Sequence, residues 1–333
     1  MLIGDGDPME AVLVAGGAGF IGAQTCKALA AAGYLPVTID NLVTGYERAV
    51  RWGPLIKADI GDAEAVKGAV KHYGIRSAMH FAAFGLVSES TRDPAKYYRN
   101  NLATGLEFVC ALIDAEVEAI VFSSTAATYG LPQRSSISED HPLLPINPYG
   151  ASKLAFEQAL HWMSQAHPLR YTILRYFNAA GADPDGEVGE SHIPETHLIP
   201  LICQATLGAA KPLTVFGTDY ETRDGTAERD YVHVCDLADA HVLALKRLRA
   251  GGSSRIYNVG SGGGVTVLEM LKETEKVMQM PVPHSLGPRR AGDPAILVAD
   301  ISRITSELNW QAQKSDLPTL IRTAAHWQAN RLY

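Results

Sequence analysis

Residues 11–22 read AVLVAGGAGFIG, and the fold follows from them. The apolar run at 11–15 is a strand of the buried kind. Gly16, Gly17, Gly19 and Gly22 come next and lead into an Ala-rich helix, AQTCKALAAAG, at 23–33. Glycines let a backbone turn tightly and approach a pyrophosphate, which then rests on the helix N-terminus. The following strand-like run, LPVTID, ends at Asp40. A carboxylate at that point takes an adenosine ribose and repels a 2′-phosphate, which favours NAD over NADP. The bland reading is an ordinary strand–turn–helix corner. Strand, glycines, helix and terminal acid in that order argue against it.

Strand-like runs recur outward from this corner, at roughly 36–40, 54–58, 77–82, 118–123 and 171–176, with helical segments such as 62–73, 93–115 and 149–165 between them. This alternation predicts an α/β fold, a Rossmann-type doubly wound parallel sheet with ligands at the carboxyl ends of its strands. After about residue 177 the pattern changes. Residues 181–196 are rich in Gly, Pro and acid and read as an exposed loop. A helix near 198–208, a strand around 212–216 and a second polar loop follow. We therefore expect an NAD-binding domain over 9–177 and a smaller α/β substrate-binding lobe over 178–330. Segments around 230–260 are expected to pack back on the first domain.

The chemistry centres on Tyr149 and Lys153 in NPYGASKLAFEQAL, residues 147–160. Asn147 is the expected N-cap and Pro148 the first helical residue, where its missing N–H costs nothing. Side chains at i and i+4 share a helix face, so phenol and ammonium can act on one substrate atom. A nearby cation favours phenolate, so Lys153 is expected to lower the Tyr149 pKa and make it a proton acceptor for an alcohol.

Composition fits a soluble enzyme of 333 residues, 47% hydrophobic, able to bury a large core. A net charge of −7 with scattered Lys and Arg argues against nucleic acid as a partner. Cys26, Cys110, Cys203 and Cys235 lie far apart, which fits a reducing cytoplasm rather than a disulfide framework. No apolar run reaches the ~18 residues of a membrane span, and MLIGDGDPME lacks a signal-peptide pattern. Met9 is a candidate natural start, with residues 1–8 an extension. His80 reads as a strand-end packing residue, His161 and His167 as helix surface. No histidine pair has metal-ligand spacing, and no metal is expected.

Taken together, GGAGFIG, IDN at 39–41, ADI at 58–60, HFAA at 80–83, YYRNN at 97–101, FSSTAATYG at 122–130 and NPYGASK resemble the extended short-chain dehydrogenase/reductase family. The later blocks narrow this to its UDP-hexose 4-epimerases: LRYFNAAGA at 174–182, HLIP at 197–200, FGTDY at 216–220, DGTAERDYVHV, YNVGSG and PRRAGDP at 288–294. The resemblance implies NAD-dependent 4-epimerisation of UDP-galactose and UDP-glucose through a transient 4-keto sugar and NADH. Tyr149, Lys153 and Thr125 would be catalytic: Tyr149 takes the hydroxyl proton, Thr125 hydrogen-bonds the reacting oxygen, and Lys153 holds the nicotinamide ribose. Cofactor contacts would come from Gly16, Gly19, Phe20, Ile21, Gly22, Asp40, Asn41, Asp59, Ile60, Phe81, Ala82, Ala83, Asn100, Ser123 and Tyr176, besides Tyr149 and Lys153.

For the UDP-sugar, the matched positions are Phe177, Asn178, His197, Leu198, Phe216, Arg229, Arg290, Asp293 and Leu297, besides Thr125 and Tyr149. Arginine suits a diphosphate through its planar fork. On the residues alone, Arg229 and Arg290 are either diphosphate contacts or surface ion pairs. Phe216 either packs near uracil or fills core, and Tyr176 and Phe177 either line the nicotinamide pocket or fill core. The resemblance also implies a homodimer through helices at 93–115 and 149–165.

This chain departs from the family at four places. Gly85 stands where many members carry a lysine, which removes one cationic contact to the cofactor. Thr125 replaces the usual serine, and His197 stands where asparagine is common. Leu297 occupies a position of varying bulk beside the sugar, so UDP-N-acetylhexosamines and UDP-pentoses remain alternative substrates. A sugar-nucleotide dehydratase would need an Asp-Glu pair after the threonine, and here Ala126 and Ala127 follow. A plain sugar-nucleotide dehydrogenase and a non-catalytic NAD-binding protein of the same fold are the remaining readings.

Overall fold

The computed structural model describes residues 9–290 and 293–333. The proposed start at Met9 concerns residues 1–8, which lie outside the described residues. Seven strands form the main sheet: β1 (Ala11–Ala15), β2 (Leu35–Asp40), β3 (Leu55–Lys57), β4 (Ser77–His80), β5 (Ala119–Thr125), β6 (Arg170–Tyr176) and, much later in the chain, Arg255–Val259. Their spatial order is β3-β2-β1-β4-β5-β6 with Arg255–Val259 outermost, the doubly wound arrangement expected. β1 pairs in parallel with both β2 and β4, Ala15 standing opposite Ile39 on one side and His80 on the other. The order reverses there, and this is where such sheets bind their ligands.

Helices α1 (Phe20–Ala31), α2 (Ala63–Tyr73), α3 (Val87–Arg92), α4 (Pro94–Tyr97), α5 (Gly105–Asp114) and α6 (Pro148–Ala166) fill the crossovers. Asp62 caps α2 by accepting the Glu64 and Ala65 N–H groups, and Gly74 ends it in the left-handed region at φ 62°. The single helix expected over 93–115 is broken: between α4 and α5 lies a π-helical turn, Tyr98–Thr104. Such wide turns recur at functional sites because they re-aim side chains, and Asn101 sits in this one. Leu13, Phe108, Phe122, Phe156 and Ile173 belong to the core cluster about the sheet. Each such buried side chain contributes about 1.5–3 kcal/mol by leaving water.

Two compact units divide the chain. The first takes the described residues through Gly130, with Leu143–Arg175 and Ala238–Tyr257. The second takes Leu131–Pro142, Tyr176–Leu237 and Asn258–Tyr333. Later elements are β7 (Asn178–Ala180), α7 (Leu198–Thr206), β8 (Leu213–Phe216), β9 (Glu228–His233), α8 (Val234–Arg249), β10 (the outermost Arg255–Val259), β11 (Gly264–Thr266), α9 (Val267–Met278), β12 (His284–Gly287), β13 (Ile296–Leu297), α10 (Ser302–Leu308) and α11 (Leu317–Ala329). In the second unit β9 pairs with β11, β13 and β7, while β8 pairs in parallel with β12. A capping box between Thr266 and Glu269 starts α9. No helix among the described residues is long and apolar enough to cross a membrane.

Candidate active site

Helix α6 begins as its sequence requires. Asn147 Oδ1 accepts the Gly150 N–H at 2.8 Å and Pro148 takes the first turn. Tyr149 thus projects from a fixed helix end. Its ring meets Tyr97 edge-on at 6.4 Å, and the Tyr97 hydroxyl is itself held by the Leu86 carbonyl and Glu89 at 2.7 and 2.9 Å. Thr125 ends β5 and stands against the Tyr149 phenol. Its Oγ1 accepts the Ala127 N–H at 3.1 Å, so its own proton is available to donate to Tyr149. Burial pushes the phenol above its ordinary value, and the Thr125 hydrogen bond pulls the other way.

This corrects the expectation that Lys153 lowers the Tyr149 pKa. The Lys153 ammonium donates to the Ser123 carbonyl at 2.9 Å and lies 4.8 Å from the Phe122 ring centre. Burial, opposed by the Glu157 carboxylate, pushes its own pKa down to about 7. The Tyr149 phenol is governed by its burial and by Thr125, while Lys153 is committed to the Ser123 carbonyl.

Beneath the pair lies a polar layer that the sequence reading missed. Ser124 donates to Glu157, and the Arg175 guanidinium grips Glu157 at 2.6 Å while reaching the Tyr129 hydroxyl at 3.1 Å. Both charged side chains are almost wholly buried. The hydroxyl of Ser123 meets His241 Nε2 at 3.0 Å, and His241 packs against Phe81 at 4.7 Å. Ser123 therefore uses its carbonyl for Lys153 and its hydroxyl for His241. His80 behaves as expected at its strand end, buried among Phe108, Phe122 and Phe156 and pushed down to about 3 by burial.

The residues of the glycine corner fit a dinucleotide. Gly16 takes φ +80°, and a Cβ there would stand 2.5 Å from the Ala82 nitrogen; one on Gly22 would stand 2.2 Å from the Gly16 oxygen. Those two serve close packing. Gly19 is different, since a Cβ there would meet nothing nearer than 3.5 Å. Its bareness leaves the N-terminus of α1 open to a ligand, and that end has neither a side-chain cap nor an acid in its first turn. Phe20 and Ile21 form that turn.

Asp40 accepts the Ala18 and Leu42 N–H groups at 3.0 and 2.8 Å, which hold it at the β2 end with lone pairs left for a ribose diol. Asn41 donates to Asp59 at 2.8 Å, tying the ends of β2 and β3 together next to buried Ile60. Phe81 and Ala82 N–H both reach the Ala15 carbonyl, at 2.8 and 3.1 Å, and Ala83 follows in the same loop. Asn100 does not reach that loop itself: its amide donates to Asn101 Oδ1 at 2.9 Å. Buried Asn101 is the staple, exchanging bonds with the Phe84 N–H and carbonyl at 2.9 and 3.0 Å. From the YYRNN block the sequence singles out Asn100 as the cofactor candidate, and only the fold shows that its neighbour Asn101 holds the loop.

In the second unit, β9 gathers the nucleotide candidates. Asn178 Nδ2 donates to the Asp230 carbonyl at 2.8 Å. Arg229 pairs with Asp293, and Leu297 is its register partner on β13. The Arg290 guanidinium lies over the Phe216 ring at 4.0 Å, so Phe216 presents a face to a cation and is half-buried rather than core. Of the two strand-end residues, Phe177 is buried and Tyr176 half-buried. Leu198 opens α7, with His197 as its N-cap residue.

Similarities to known proteins bear on these residues. The sequence profile of the NAD dependent epimerase/dehydratase family matches residues 12–260. The chain is 46% identical to the UDP-glucose 4-epimerase of Lacticaseibacillus casei over 320 residues, covering 96% of this chain and 97% of that one. It superposes on the UDP-glucose 4-epimerase of Brucella ovis in complex with NAD with a TM-score of 0.94 at 47% identity, covering 95% and 98% of the two chains. The Bifidobacterium longum UDP-glucose 4-epimerase in complex with NAD+ and UDP is similar at TM-score 0.90 and 35% identity, covering 96% and 98%.

Proposed function

The chain belongs to the NAD dependent epimerase/dehydratase family, and from that premise we propose how its residues invert C4 of a UDP-hexose, interconverting UDP-galactose and UDP-glucose. It is an isomerase with NAD as its cofactor. When bound, NAD would supply the hydride acceptor for C4 and the donor for its opposite face, held by Asp40, Lys153 and the N-terminus of α1.

Tyr149 is the base that removes the C4 hydroxyl proton and the acid that restores it. Thr125 donates to the phenolate oxygen, which supports the charged form in a site where burial opposes it. Lys153, anchored on the Ser123 carbonyl, has two further N–H groups for the nicotinamide ribose. Asp40 takes the adenosine ribose, and the α1 N-terminus takes the pyrophosphate. Asn178, His197, Leu198, Phe216, Arg229, Arg290, Asp293 and Leu297 grip the nucleotide end, so that only the sugar is free to turn.

One observation carries this reading: the Thr125–Tyr149 hydroxyl pair is followed by buried Ala126 and half-buried Ala127, with no carboxylate to eliminate water. The test uses UDP-galactose deuterated at C4. Deuterium is expected to stay at C4 in the UDP-glucose formed; loss to solvent would overturn the mechanism. Reduced cofactor accumulating in step with a 4-keto product would indicate a dehydrogenase instead.

We also assign a homodimer through the 93–115 segment and α6, on which Tyr98 and Trp162 are exposed. Light scattering at micromolar concentration decides it. A reducing cytoplasm suits a chain whose four cysteines form no disulfide.

A further inference from the structure

Residues 190–197 read ESHIPETH, and their spacing follows no helical or paired-cysteine pattern for metal ligands. The fold nevertheless brings one donor atom from each of Glu190, His192, Glu195 and His197 within 4.8 Å of the others. His192 Nδ1 lies 3.0 Å from a Glu190 oxygen and 4.0 Å from Glu195 Oε1. His197 Nδ1 faces the same Glu190 oxygen and stands 3.8 Å from Glu195 Oε1. Side-chain exposure is 4% for Glu190 and 5% for Glu195. Glu195 Oε1 accepts the Thr196 and His197 N–H groups at 2.7 and 2.9 Å, but its buried Oε2 has no hydrogen-bond partner. The buried Nδ1 of His192 has that Glu190 oxygen as its neighbour. A buried, unsatisfied carboxylate oxygen such as Glu195 Oε2 needs a proton or a cation.

We propose that Glu190, His192, Glu195 and His197 bind one divalent cation of the zinc class. Two carboxylates balance its charge. Two imidazole nitrogens select a borderline metal over magnesium or calcium, which prefer oxygen. Four protein donors fill a tetrahedron, as in a structural site.

The cation braces the segment that leads into α7. Its first ligand is already pinned from α11, where Trp327 Nε1 and Gln328 Nε2 donate to the Glu190 carbonyl at 3.0 and 3.2 Å, while Ser191 Oγ donates to the Tyr333 carbonyl at 3.0 Å. Its last ligand, His197, is the residue before Leu198. Ligation through Nδ1 places the ring proton of His197 on Nε2 and makes it a fixed donor.

The test uses the tag-free full-length chain, equilibrated with Zn2+ and desalted, with zinc per chain measured by mass spectrometry. One zinc per chain is expected, falling roughly 10-fold or more in H192A and in E195Q, together with a Zn2+-dependent rise in Tm present only in the wild type. Co2+ in the wild type should give the strong visible bands of a tetrahedral site, a readout that survives if the variants fail to fold. A wild type that retains no zinc, or retention equal in wild type and H192A, would overturn the proposal in favour of a protonated His–Glu network. So would a pale, octahedral cobalt spectrum. None of these readouts depends on epimerase activity.

Discussion

The Lys153 ammonium rests on the Ser123 carbonyl at 2.9 Å, inside a site that pushes its pKa down to about 7. In the unfolded chain the amine titrates near 10.4. Between these values the unfolded state binds the extra proton, so stability rises with pH across the window; below about pH 7 the buried charge is a standing cost. Lys153→Met removes that cost. It should raise stability relative to wild type by more at pH 6 than at pH 9, by a few kcal/mol at most, while activity is lost. Denaturant unfolding at the two pH values measures it, and an equal difference at both would contradict the shift.

Tyr149→Phe keeps the ring against Tyr97 and removes the proton acceptor. Turnover should fall at least ~100-fold, the scale of general acid–base catalysis, with NAD affinity nearly unchanged. Thr125→Val should also lower kcat, and Thr125→Ser should restore it. Steady-state kinetics beside NAD titration separate these effects.

Asn101 holds the loop after β4 by two bonds to Phe84. Asn101→Leu leaves those backbone groups unsatisfied, at about 1–3 kcal/mol. The expected result is weaker NAD binding, seen by calorimetry, with a smaller change in kcat at saturating cofactor.

Gly85 has open space where a Cβ would stand, and the nearby Lys96 is committed to Glu89 at 2.8 Å and to the Phe84 ring at 4.1 Å. Gly85→Lys should therefore be accommodated and should slow NAD loss. The check is the fraction of chains still carrying NAD after repeated gel filtration, which should be higher in the variant.

Glu157 and Arg175 form a buried pair at 2.6 Å. Removing one partner of such a pair costs about 3–5 kcal/mol because the other charge is left stranded. Arg175→Met should lower Tm by several degrees. Replacing both residues with apolar groups should recover much of the loss.

Much of the candidate site's local geometry was legible in advance because its logic is local. A glycine turn, an N-cap three residues from its donor and an i, i+4 pair depend on neighbours in the chain. The turn at Gly16, the strand end at Asp40, the cap at Asn147 and the shared helix of Tyr149 and Lys153 were therefore readable as they stood. So was the order of strands and helices, since buried parallel strands write continuous apolar runs. The broken helix at Tyr98–Thr104 was not, because a wide turn leaves the apolar spacing almost unchanged.

Tertiary structure alone decided which atom each polar group meets. His241 reaches Ser123, Arg175 reaches Glu157, and Asn101 rather than Asn100 holds Phe84, all across intervals that carry no periodic signal. It also reversed the expected direction of the Tyr149 pKa. Proximity of a lysine can be read from spacing; desolvation depends on how much of the folded protein surrounds the group. The gathering of Glu190, His192, Glu195 and His197 has the same origin, since an irregular loop brings donors together by its path rather than by its sequence period.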